Sequence, residues 1–110
     1  MISEQTYRYV ENLDKSIARK VVDAINTELE TIYLVGYAPS DSFSRGFADG
    51  LKISRKLLLC DSKEKAKIYK EITSKNLYCH WHYSCKSYYN EGFKRGIKYF
   101  NKQLEKTKLT

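Results

Sequence analysis

The chain has 110 residues, 42% of them apolar and 30% charged, with a net charge of +7. That suffices for one domain with a small core, spanning 1–110, and not for two. One proline and five glycines exclude collagen-like, linker-like and turn-dense β chains. No apolar run nears the ~18 residues of a membrane span, and the opening residues Met1 to Gln5 lack the basic and apolar regions of a signal peptide. The expectation is a cytoplasmic, all-α domain.

Residues 3–35 read as one long helix. Ser3 suits its cap, Ile2 and Tyr7 suit a hydrophobic staple, and apolar residues recur at helical spacing from Val10 to Ile32. Gly36 and Pro39 punctuate its end. A helix of that length reaches ~50 Å, long for a domain of this mass. Either it breaks near Asn12–Lys15 or a partner subunit buries part of it, which makes a homodimer the expectation. A second helix is predicted over 40–59. A third runs from a capping sequence at Asp61–Glu64 to about Ser74, and a fourth spans 84–106. The aromatic strip Leu77–Tyr83 is ambiguous between a helical turn and an extended segment.

A near-duplicate lies 46 residues apart: Gly46-Phe47-Ala48-Asp49-Gly50-Leu51-Lys52 and Gly92-Phe93-Lys94-Arg95-Gly96-Ile97-Lys98, extended by Phe43/Tyr89, Lys56/Lys102 and Leu58/Leu104. This predicts four helices arranged as two duplicated hairpins, about 15–59 and 61–105. Each mid-helix glycine costs about 1 kcal/mol relative to alanine. Glycines retained four apart on one helix face therefore imply a close backbone approach. The predicted packing sets the second and fourth helices against each other through Gly46, Phe47, Gly50, Gly92, Phe93 and Gly96, about a pseudo-twofold axis.

Charge is unevenly placed. Residues 1–50 carry five Lys/Arg against eight Asp/Glu, and residues 51–110 carry fifteen against five. Such a field attracts polyanions or an acidic protein surface. Arg45, Lys52, Arg55 and Lys56 on the second predicted helix and Lys94, Arg95, Lys98 and Lys102 on the fourth are the candidate binding residues, arranged as a basic stripe. Lysine outnumbers arginine fifteen to five, which favours non-specific phosphate contact over bidentate base reading. Ten tyrosines, Tyr99 among them, suit base stacking or half-buried helix faces.

Cys79-His80-Trp81-His82-Tyr83-Ser84-Cys85 gathers both histidines and two of three cysteines. An odd cysteine count without an export signal argues against a disulfide framework. Core packing is the reading adopted, with no cofactor. The alternative is a zinc site of Cys79, His82 and Cys85 with Cys60 or His80. No nucleophile–base arrangement, phosphate loop or paired-carboxylate site is present, so the chain reads as non-enzymatic.

Lys, Ile, Asn and Tyr make 38 of the 110 residues, a composition suited to an A/T-rich phage or mobile element. The functional expectation is a small protein whose basic surface binds nucleic acid or a nucleic-acid-handling complex, as an accessory factor or an anti-CRISPR-type inhibitor of host defence. Two alternatives are a dimeric interaction module for an acidic protein and a sponge for small anionic nucleotides.

Overall fold

In a computed structural model of the chain, the described residues are 2–33, 41–73 and 86–108, and all regular structure among them is helical. Five helices are present there rather than four: α1 (Glu4–Glu11), α2 (Lys15–Ile32), α3 (Ser42–Leu59), α4 (Ser62–Thr73) and α5 (Lys86–Lys108). None is long and apolar enough to cross a membrane.

The expected long first helix breaks at Asn12–Asp14. The Asn12 N–H turns back to the carbonyls of Tyr9 and Val10, and its side-chain Nδ2 donates to the Arg8 carbonyl at 3.0 Å. Asp14 then caps α2, accepting from the Ser16 N–H at 2.9 Å and its hydroxyl at 3.1 Å. An Asx cap satisfies an orphan donor of a new helix, so the chain restarts instead of continuing. The molecule's longest dimension is 39 Å, close to the ~35 Å of α5 alone. The break therefore removes the overlong helix that called for a partner subunit.

The other starts follow the same chemistry. Ser3 Oγ accepts from the Thr6 N–H at 3.1 Å, with Ile2 and Tyr7 both buried. Asp41 caps α3 through the Ser44 N–H at 3.2 Å, and Asp61 caps α4 through the Glu64 N–H at 2.9 Å. The helix α2 ends at Ile32, with Tyr33 as its C-cap. Gly36, Pro39 and the strip Leu77–Tyr83 lie outside the described residues.

The centre of the fold is the α3–α5 contact. A Cβ added at Gly46 would fall on the Tyr89 carbonyl oxygen, and one at Gly92 on the Phe43 carbonyl oxygen. At Gly50 it would stand 2.6 Å from the Phe93 carbonyl oxygen and 3.2 Å from the Gly96 Cα. At Gly96 it would stand 2.6 Å from the Phe47 carbonyl oxygen and 3.1 Å from the Gly50 Cα. The contacts are reciprocal at an offset of 46 residues. As the glycine advances from 46 to 50, its neighbours advance from Tyr89 and Phe93 to Phe93 and Ile97. The two helices therefore run in the same direction.

Three elements cover this seam. The helix α2 runs antiparallel to both partners: Tyr33 meets Lys52 and Asn26 meets Arg55 on α3, while the Tyr99 hydroxyl of α5 donates to the Ala24 carbonyl at 3.3 Å. The helix α4 packs against α3 and α1, not chiefly against α5 as a second hairpin requires. At the far end α1 bridges α4 and the C-terminal end of α5, with Tyr7 stacked on Tyr69 at a centroid separation of 4.3 Å and the Tyr9 hydroxyl 2.7 Å from that of Thr107. Val10, Ile25, Leu51, Leu57, Ile72, Ile97, Phe100 and Leu104 fill the core between these layers.

The glycine seam sets two terms against each other. Alanine at Gly46 gains about 1 kcal/mol of helix propensity, but its methyl must displace a backbone carbonyl, and overpacking costs about 1–3 kcal/mol or more. Gly46→Ala and Gly92→Ala should each lower unfolding free energy in urea by about 1 kcal/mol or more. A rise in stability, the sign that propensity alone gives, would contradict the contact.

Candidate nucleic-acid interface

The eight candidate cations do not form one stripe. Arg95, Lys98 and Lys102 stand at i, i+3 and i+7 of α5, which places them within one arc of the helix. With Tyr99 they form one wall of a groove of about 710 Å³ whose other residues are Glu28 and Ile32 from α2 and Phe43, Ser44 and Phe47 from α3. Lys52, Arg55 and Lys56 of α3 line a separate depression with Leu59 and Cys60. The helix α2 borders both flanks, presenting Glu28 and Ile32 to the first and Asn26, Glu30 and Tyr33 toward Lys52 and Arg55.

Two of the three α3 cations have local partners, while Lys56 is exposed without one among the described residues. Lys52 donates to the Tyr33 hydroxyl and lies 4.8 Å from the centre of that ring. Arg55 Nη1 donates to Asn26 Oδ1 at 2.7 Å. Lys94 turns about 100° away from Arg95 around the helix and pairs with Glu91 at 3.7 Å. Arg45 is half-buried and lines neither cavity. Arg95, Lys98 and Lys102 are exposed, and none has a hydrogen-bond or ion-pair partner among the described residues. Glu28 is the one carboxylate in their groove's lining, so the groove keeps a positive balance.

Local folding places the remaining lining residues. The Asp41 cap fixes the first turn of α3, its carboxylate accepting from the Ser44 hydroxyl at 2.8 Å as well as from the N–H. Phe43 and Ser44 thereby come to the groove's rim. Phe47 is half-buried beside the glycine seam, whereas Phe93, its counterpart in the repeat, is buried. Burial raises the Tyr99 phenol above its ordinary range, and the Glu28 charge adds to this, so Tyr99 stays a neutral hydrogen-bonding ring in the groove lining.

Sequence reasoning included Phe43 and Phe47 only as helix-packing residues and missed Glu28 and Ile32. Their arrival depends on how α2 lies across α3 and α5, which no local signal encodes. Of the alternative zinc set, Cys60 alone lies among the described residues; Cys79, His82 and Cys85 lie outside them. The Cys60 thiol points back to the Leu57 carbonyl at 3.6 Å, and burial raises its pKa. Among the described residues no cluster of His, Cys, Asp or Glu is arranged to hold a metal.

Asp41 provides a pH test of the groove's support. The Ser44 side-chain hydrogen bond, against some desolvation, holds its carboxyl below the ordinary value of 3.8. A depressed folded pKa gives stability that is present above the unfolded value and lost as pH falls through the folded one. Thermal melts from about pH 6 to about pH 2 should therefore show a loss of stability below about pH 4. Asp41→Asn, which keeps a capping oxygen but does not titrate, should flatten part of that loss. An unchanged profile would show that the cap does not form.

Comparison with protein-family models, with curated proteins and with solved structures gave no match to this chain.

Proposed function

We propose that the chain is a small non-enzymatic binding protein that takes the phosphate backbone of a nucleic acid into the groove between α2, α3 and α5. The observation that carries this reading is the convergence of three exposed cations without local partners, Arg95, Lys98 and Lys102, on one aromatic-lined groove. Three such charges repel one another unless an anion joins them, and phosphates do so while releasing counterions. Paired surface cations such as Lys94 lack this drive, because their charge is partly met within the helix. The sequence's composition fits a phage or mobile element, in which such a protein serves as an accessory nucleic-acid binder or as an inhibitor of a nucleoprotein defence complex.

The same proposal includes an origin for the seam. The helices α3 and α5 derive from one duplicated unit, supported by the reciprocal glycine contacts and by a second correspondence. Shifting the α2–α5 contact by 46 residues gives the α4–α3 contact, and both pairs pack. Each unit's first helix then touches the other unit's second helix, while α2 also lies along its own unit's α3. Duplication also supplies two related cation pairs, Lys52/Lys98 and Lys56/Lys102; on α3 Lys52 is engaged by Tyr33, whereas on α5 both members share a groove with a third cation, Arg95.

Fluorescence anisotropy against labelled DNA and RNA, read as a function of salt, tests the binding reading. Affinity should fall steeply between about 50 and 200 mM salt, and reversing Arg95, Lys98 and Lys102 to Glu should reduce the logarithmic salt slope by roughly 2–3. Lys67→Glu, on the exposed side of α4, should leave that slope nearly unchanged. Absence of binding at low salt, or equal losses in the two variants, would refute the groove as the site.

A further inference from the structure

We infer that the groove takes a single strand, its phosphates along the α5 wall and one base stacked on Phe43; the inference rests on the nucleic-acid reading above. The two walls are chemically different. The α5 wall carries Arg95, Lys98 and Lys102 over seven residues, ~10 Å of helix. The rest of the lining is Phe43, Phe47, Ile32, Ser44 and Glu28, with no cation. A duplex turns its phosphates outward on both strands and keeps its base faces stacked inside, so the phenyl rings of Phe43 and Phe47 gain nothing from it. One backbone with its bases turned away matches both walls at once, in the manner of a stacking platform beside a charged track.

The repeat sharpens the point. Tyr89, the counterpart of Phe43, is buried to 8% exposure, and its hydroxyl donates to Asp49 at 2.6 Å. Phe43 has no hydroxyl, remains 39% exposed, and faces the groove whose opposite wall bears Arg95, the counterpart of Asp49. A solitary exposed phenylalanine is ordinary on a protein surface. A phenyl ring left open across from three unpartnered cations is the arrangement that base stacking and phosphate contact together require. Glu28 reinforces the division by excluding phosphate from the α2 side.

The test compares a labelled oligothymidylate of about twelve nucleotides, an abasic strand of equal length and charge, and a duplex. The wild-type protein should bind the base-bearing strand roughly tenfold more tightly than the abasic one, and more tightly than the duplex. Phe43→Ala should bring the base-bearing strand down to the abasic level without changing abasic affinity, and Lys98→Glu should weaken both. The wild-type comparison of base-bearing and abasic strands requires no variant, so it stands even if Phe43→Ala disturbs folding. Equal affinity for those two strands, or preference for the duplex, overturns the single-strand inference; if Lys98→Glu still weakens binding, the groove reading survives. Failure of all three ligands to bind at low salt overturns both.

Discussion

Everything in this fold depends on two helices touching through their backbones. Four glycines bring α3 and α5 so close that carbonyl oxygens occupy the space of the missing side chains. The cost is on the order of 4 kcal/mol of helix propensity, a large share of a small domain's 5–15 kcal/mol stability. That cost is offset only if the close approach improves packing along the whole seam. Leu51, Ile97, Phe100 and Leu104 lie fully buried on the same two helices, where dispersion and apolar burial accumulate over many contacts.

A parallel pair at short separation leaves shallow flanks, and the remaining helices decide what those flanks become. The helix α2 lies antiparallel to both members and divides the cations of α3 from those of α5. On the α3 side it supplies Tyr33 and Asn26, which engage Lys52 and Arg55. On the α5 side it supplies Ile32 and Glu28, which leave the three cations unmatched in number. The proposed binding asymmetry therefore follows from the placement of one helix over a nearly symmetric pair.

The helix starts were legible because caps are local: Ser3 and Asp61 announce themselves within four residues. Gly46, Gly50, Gly92 and Gly96 were legible because mid-helix glycine is costly and their spacing repeats. The break at Asn12–Asp14 was half-legible, since continuous apolar periodicity competed with the Asp14 cap and the cap won. The direction of the α3–α5 pair was not legible, because GxxxG spacing permits either sense. Nor was the split of the basic residues, since residues separated by more than sixty positions, such as Glu28 and Arg95, meet only through tertiary packing. The contrasting fates of Phe43 and Tyr89 turn on one hydroxyl and its Asp49 partner, a difference that repeat matching smooths away.

The most direct measurement of the central claim is a pair of spin-label distances on the folded chain. Labels at Lys56 and Lys102, both exposed in the second halves of their helices, should lie closer together than labels at Lys56 and Ser87. Along α5, Ser87 and Lys102 are separated by ~22 Å, so the order is easily read. A parallel seam requires the Lys56–Lys102 distance to be the shorter; the reverse order would mean antiparallel helices and would contradict the glycine seam.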